Sequence, residues 1–135
     1  MFENLGFIEK FHIQRQSLND FLQLVCQNYN FVPFHNMTHA FNVTHVMYWI
    51  ICCGPNESYL KTKAFTDLDK LAMLIACIGH DLNHPGLGNT YFQKSNHVLS
   101  QVVNGRSVLE HFHCYTLFQI LNKTQLLSSL PPKDI

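Results

Sequence analysis

Apolar residues recur at helical spacing along most of this chain. Leu18, Phe21, Leu22 and Val25 follow the i, i+3, i+4, i+7 rule behind Ser17-Leu-Asn-Asp20, a hydroxyl with an acid three residues on. That pattern predicts an amphipathic helix capped at Ser17 and ending near Asn28. After Pro33, Asn36 is placed to cap a second helix running to about Ile51. Its apolar positions Met37, Ala40, Phe41, Val43, Met47 and Ile50 cover most of the circumference, so it is expected to be central and buried, stopped by Gly54-Pro55. A polar loop through Asn56, Glu57 and Ser58 leads to Thr66-x-x-Asp69, a second capping signature, ahead of Leu68, Leu71, Ala72, Ile75 and Ile78. The turn formers between His80 and Asn89 predict a loop, and a short helix around Val98–Val103 closes at Asn104-Gly105. Ser107-Val-Leu-Glu110 has the form of a capping box for a last helix through Phe112, Leu117, Ile120 and Leu121, ended by Pro131-Pro132. No window alternates with period two for long enough to require a strand. The expected class is all-α.

Composition narrows the partners. A chain of 135 residues supports one modest core. Zero formal charge with only 13% charged residues leaves no basic footprint for nucleic acid. Five cysteines, odd in number and without a C-x-x-C spacing, suit a reducing compartment better than a disulfide framework. The start MFENLGFIEKF lacks a basic-then-apolar leader, and the longest apolar run, Val46 to Cys53, is too short to span a bilayer. An intracellular, cytoplasmic protein with no membrane segment is the expectation.

The chemistry is concentrated in two short segments. FHNMTHA sets His35 and His39 at i and i+4, on one helical face; GHDLNHPG brings His80, Asp81 and His84 to the end of an apolar helix. Imidazole and carboxylate suit divalent zinc, iron or manganese, and a mixed nitrogen and oxygen ligand set keeps positions open for chemistry. A structural zinc site would recruit thiolates, and none is spaced for it. A divalent cation lowers the pKa of bound water from 15.7 to about 7, and a carboxylate such as Asp81 has two oxygens with which to reach two ions. Breaking a phosphodiester also needs a proton for the departing alkoxide, and His35, one turn before His39, stands where such an acid is needed. His12, His45, His97 and His111 have no such company and read as ordinary core or surface residues.

FHNMTHAFNV, GHDLNHPGLGNTYF and SVLEHFH together resemble the catalytic domain of the class I 3′,5′-cyclic nucleotide phosphodiesterases, which carry [YF]-H-N-x-x-H-[AC], H-D-x-x-H-x-G and S-x-L-E-N-H-H in that order. NTYF and the closing LPP of Leu130 to Pro132 are most similar to the high-affinity cGMP-specific group. The resemblance covers about Leu18 to the C-terminus, with a motif-bearing core at about 18–122 of a single partial domain, 1–135. It implies a compact HD-type helical fold, of which this is the front part, that hydrolyses cGMP or cAMP at two divalent ions, zinc and magnesium, with manganese an alternative. By the same resemblance His35 is the acid that protonates the leaving 3′ oxygen, and His39, His80 and Asp81 hold the tighter metal. His84 lies beside the phosphate, Glu110 orients His35 and holds water with His113 close by, and His35, Asn36, His39 and Asp81 face the substrate. Three positions depart from the family pattern: Asn42 and Asn83 stand where aspartates are common, and Phe112 replaces a histidine. In the family a later aspartate completes the ligand set and a glutamine clamps the purine. Here the only acid after Glu110 is Asp134, a poor ligand candidate, and the purine clamp is expected beyond Ile135. The other readings are a different HD-type phosphohydrolase and an inactive binding or regulatory remnant. Apolar faces left uncovered would favour a homo-oligomer.

Overall fold

The computed structural model describes residues 1–53 and 65–131, and among them it is helical with no strands. The elements are α1 (Phe7–Lys10), α2 (Arg15–Gln27), α3 (Met37–Cys53), α4 (Asp67–Gly79), α5 (Asn89–Lys94), α6 (Val98–Val102) and α7 (Val108–Thr124). α3 lies along α4, α2 lies along α7, and α4 meets α7, so the four long helices form one bundle. Its core runs from Phe7 and Ile8 through Phe21 and Val25 to Leu71, Leu74 and Ile78, and closes on Ile120 and Leu126. Each such side chain contributes about 1.5–3 kcal/mol when fully buried. A smaller cluster of Phe92, Val108 and Leu109 ties α5 and α6 to the start of α7. No helix among the described residues is long and apolar enough to cross a membrane.

Thr66 and Asp69 form the predicted box at the start of α4: Thr66 Oγ1 accepts from the Asp69 amide at 3.1 Å, and Asp69 Oδ2 accepts from the Thr66 amide at 2.7 Å. Asn36 caps α3 as expected, its Oδ1 accepting from the His39 amide at 3.1 Å. The Gly54-Pro55 stop and the polar loop after it lie outside the described residues. α4 ends at Gly79, where a Cβ would stand 2.7 Å from Leu117 Cδ1 of α7. A larger residue there would push the Leu117 side chain aside, and the close approach brings the residues following α4 up to α7.

Several local expectations are corrected. α2 starts at Arg15 rather than at a Ser17 cap, because buried Ile13 anchors the entry and the extended Gln14 precedes the first turn. α3 is buried on one face only: Ala40, Thr44 and Ile51 face inward, while Phe41, Val46, Trp49 and Ile50 are exposed, since α4 covers a single side. Ser107 makes no side-chain cap and sits at φ 43°; the amide of Leu109 donates instead to Asn89 Oδ1 at 2.8 Å. α7 stops at Thr124, where Gln125 turns left-handed, well before Pro131. Short α1 and α5 carry too few turns to show a period, and the sequence pattern missed both.

Candidate metal centre

α3 and α4 pack together so that the start of one and the end of the other meet at His39 and His80. His39 projects from the first turn of α3, and His80 and Asp81 follow α4 directly. Asp81 is the deepest of the group, with 10% of its side chain exposed, while His35 lies at the rim with 40% exposed.

Three atoms converge. His80 Nε2 stands 3.2 Å from His39 Nε2 and 3.1 Å from Asp81 Oδ2, and His39 Nε2 stands 3.5 Å from the same oxygen. A tetrahedral zinc with ligands at about 2.0–2.1 Å has ligand-to-ligand edges of roughly 3.3–3.4 Å, so this triangle has the size of one face of such a shell. His80 Nδ1 donates to the carbonyl of Cys77 at 2.8 Å, which leaves its Nε2 a lone pair in the neutral ring. A lone pair aimed at another imidazole nitrogen and a carboxylate is a donor set suited to a cation. His35, His39 and Asp81 also offer atoms within 4.8 Å of one another. His35 Nδ1, however, lies only 2.8 Å from Asp81 Oδ2, a hydrogen-bond distance shorter than a ligand edge. His35 is therefore the hydrogen-bond partner of the carboxylate through its Nδ1.

Behind the triangle three imidazoles stack. His35 lies over His84 with centroids 4.0 Å apart and planes 20° apart, and His84 over His113 at 5.4 Å and 21°. His84 Nδ1 accepts from the Gly86 amide at 3.0 Å, so neutral His84 carries its proton on Nε2. His113 Nδ1 donates to the carbonyl of Leu82 at 2.6 Å, and its Nε2 faces Asp81 Oδ1 at 4.0 Å. Burial, and then the charge of neighbouring His35 and His113, pushes the His84 pKa down; burial likewise pushes His113 down against the Leu82 carbonyl and Asp81. For Asp81, burial alone would raise the carboxyl, but the His35 hydrogen bond and the charges of His80, His35 and His113 outweigh it and the pKa is lowered.

These shifts have a sign. Below about pH 6.5 the unfolded histidines take up protons that native His84 and His113 refuse. Their contribution is thus fully present above about pH 6.5, and it is lost as the pH falls toward their depressed native values. Denaturant titrations of the metal-free chain at pH 7.5, 6.5 and 5.5 are expected to give falling stability in that order. A flat or inverted series contradicts the burial of these two rings as neutral groups.

The other sequence-derived residues are placed as follows. Asn36 is engaged at the α3 cap, with its Nδ2 donating to the Val32 carbonyl at 2.9 Å. Glu110 is exposed on α7 and accepts from Asn89 Nδ2 at 2.9 Å, while His35 takes Asp81 as its partner, so the implied Glu110–His35 contact is not formed in this structure. His12, His45, His97 and His111 are all exposed, and His97 caps α6 by accepting from the Leu99 amide at 3.2 Å. Three contributors were missed. The Phe34 ring leans on His39 at 4.6 Å and on His35 at 5.0 Å. Asn89 joins the loop after His84 to the first turn of α7. Tyr29 Oη donates to the Ile78 carbonyl at 2.9 Å and accepts from the Asp81 amide at 3.3 Å; burial pushes its pKa up, so it remains a neutral phenol able to do both. An aromatic residue followed by H-N was a visible signal for Phe34, but nothing in the sequence marks Tyr29 or Asn89 apart from ordinary core and turn residues.

A family profile described as 3′5′-cyclic nucleotide phosphodiesterase matches residues 34–135. The chain is 41% identical over 121 residues to a high affinity cGMP-specific 3′,5′-cyclic phosphodiesterase 9A of Drosophila melanogaster, covering 90% of this chain and 8% of that protein. It is 38% identical over 136 residues to the Mus musculus protein of the same name, covering 98% and 24%. Against a dual 3′,5′-cyclic-AMP and -GMP phosphodiesterase 11 of Drosophila melanogaster it is 36% identical, covering 99% and 9%. The chain thus spans a quarter or less of the length of these relatives. Among solved structures, the phosphodiesterase domain of the RhoPDE fusion protein of the choanoflagellate Salpingoeca rosetta superposes with a TM-score of 0.88 at 36% identity, over 98% of this chain and 41% of that one.

Proposed function

Because the chain belongs to the 3′5′-cyclic nucleotide phosphodiesterase family, we propose that residues 1–135 are the front part of one catalytic domain that opens the cyclic phosphodiester of cGMP, cAMP or both to a 5′-monophosphate. The observation that carries this reading is the triangle of His39 Nε2, His80 Nε2 and Asp81 Oδ2, with the hydrogen-bonded His35 at its rim. His39, His80 and Asp81 would hold the tighter cation, zinc, with Asp81 also reaching a second, magnesium or manganese. Bound there, the cations polarise the phosphate and supply a nucleophilic water at neutral pH.

The remaining roles belong to the chain. His35 gives its Nε2 proton to the departing 3′ oxygen, while Asp81 keeps the Nδ1 hydrogen and balances the positive ring. His84 and His113 stay neutral, so they do not repel cations, and His84 Nε2–H is available to a phosphate oxygen. Glu110 and Asn89 steady the α7 wall, Asn36 holds the α3 turn from which His39 projects, and Phe34 covers the two imidazoles.

The test is turnover of cGMP and of cAMP by the full-length protein that contains this segment, with zinc and magnesium supplied and then removed by chelation. Metal-dependent release of the 5′-monophosphate is expected. Release of a 3′-monophosphate, or activity indifferent to chelation, would overturn the reading.

A further inference from the structure

The segment Asn28-Tyr29-Asn30, immediately after α2, grips the loop that carries Asp81, Asn83 and His84. The Asn28 carbonyl accepts from the Asn83 amide at 2.7 Å, and Asn30 Nδ2 donates to the His84 carbonyl at 3.0 Å. Between them lies the Tyr29 hydroxyl. A continuing helix would satisfy the Asp81 amide with the Cys77 carbonyl, but that oxygen accepts from His80 Nδ1 instead. The Ile78 carbonyl at the end of α4 is equally in need of a donor. Tyr29 Oη answers both, donating to Ile78 and accepting from Asp81. One hydroxyl therefore splices a broken helix at the point where His80 is free to turn its Nε2 toward His39. Asn83, held at φ 58° beside Asn28, then carries the chain on to His84.

We propose that Tyr29 is a positioning residue of the metal centre, setting the direction of the Asp81 backbone and with it the His80–Asp81 edge of the ligand triangle. The inference rests on the reading of His39, His80 and Asp81 as ligands. Tyr29 itself touches no reacting atom. Removing its oxygen leaves the ring packed and the core filled, but it leaves two backbone groups at the hinge without a partner, so His80 and Asp81 lose their common frame.

The experiment compares wild type with Y29F, N30A, T124V and H39A in the full chain, using zinc and cobalt as probes. Thr124 Oγ1 bonds the Ile120 carbonyl at 2.9 Å at the far end of α7, so T124V removes a buried hydroxyl away from the site. Zinc affinity is read by competition with a chromophoric chelator, cobalt geometry by the visible ligand-field bands, and folding by circular dichroism. Y29F is expected to lose about 10–100-fold in zinc affinity, the range for residues that orient ligands, and to shift the cobalt bands. N30A should move in the same direction by less, and T124V should retain wild-type affinity and spectrum. Equal zinc affinity and cobalt spectra in wild type, Y29F and N30A would overturn the positioning role while leaving the metal site standing. So would equal losses in Y29F and T124V, which would mark a general loss of stability. Zinc binding unchanged in H39A, or absent from wild type, would instead overturn the ligand assignment and this inference with it.

Discussion

Asp81→Ala is expected to strip zinc from the protein, with a loss of affinity greater than the roughly 10–100-fold typical when a residue that only orients ligands is removed. The reason is the number of roles converging on that carboxylate. Its Oδ2 lies within 3.5 Å of both His39 and His80 and accepts the hydrogen bond from His35. Without it two imidazole nitrogens 3.2 Å apart face each other with no anion to hold a cation between them. His84→Ala, by contrast, removes a ring that stacks on His35 and leaves the triangle itself intact. It should fall within the lower range. Elemental analysis after exhaustive dialysis, with zinc titration of each variant, separates the two. Equal metal loss in both would mean that His84 is itself a ligand and that the triangle is wrongly drawn.

His35→Ala should leave metal content unchanged and cut turnover of cyclic nucleotide by about 10²–10⁴-fold, the usual worth of a positioned general acid. It is the group of this cluster that lies furthest out, and its Nδ1 is already fixed by Asp81. A nitrophenyl phosphodiester needs no proton for its leaving group, so the same variant should hydrolyse it nearly as well as the parent does. The measurement is a pair of rate comparisons on a full-length enzyme carrying this segment. A similar drop for both substrates would show that His35 contributes to binding or to metal placement rather than to protonation.

The ease with which these residues were read from the sequence follows from how local their signals are. His35 and His39 share a helix turn, and His80, Asp81 and His84 share a loop, so spacing alone brings each group together; the helical class followed equally from the 3.6-residue period. What escaped depends on side chains reaching across the fold. Tyr29 is a tyrosine at the end of an amphipathic helix, and its pairing with Ile78 and Asp81 exists only once the bundle is assembled. Asn89 looks like a turn residue, and only the bundle shows it standing in for the Ser107 cap. Ser107-x-x-Glu110 illustrates the converse error. The right letters were present, but Glu110 turns to Asn89 and the serine backbone is left-handed, so a local rule gave way to a tertiary partner. The circumference of α3 misled for a related reason: apolar residues on all sides state what a helix can bury, not what is there to bury it.

The outer face of α3 has one more consequence. Trp49, the only tryptophan of the chain, sits half-exposed on that face beside Phe41, Val46 and Ile50. It lies ten residues along the helix from His39, about 15 Å at 1.5 Å per residue. These 135 residues thus carry a single indole fluorophore. Its emission answers to whatever comes to cover α3, so assembly on that face can be followed through one residue without a label.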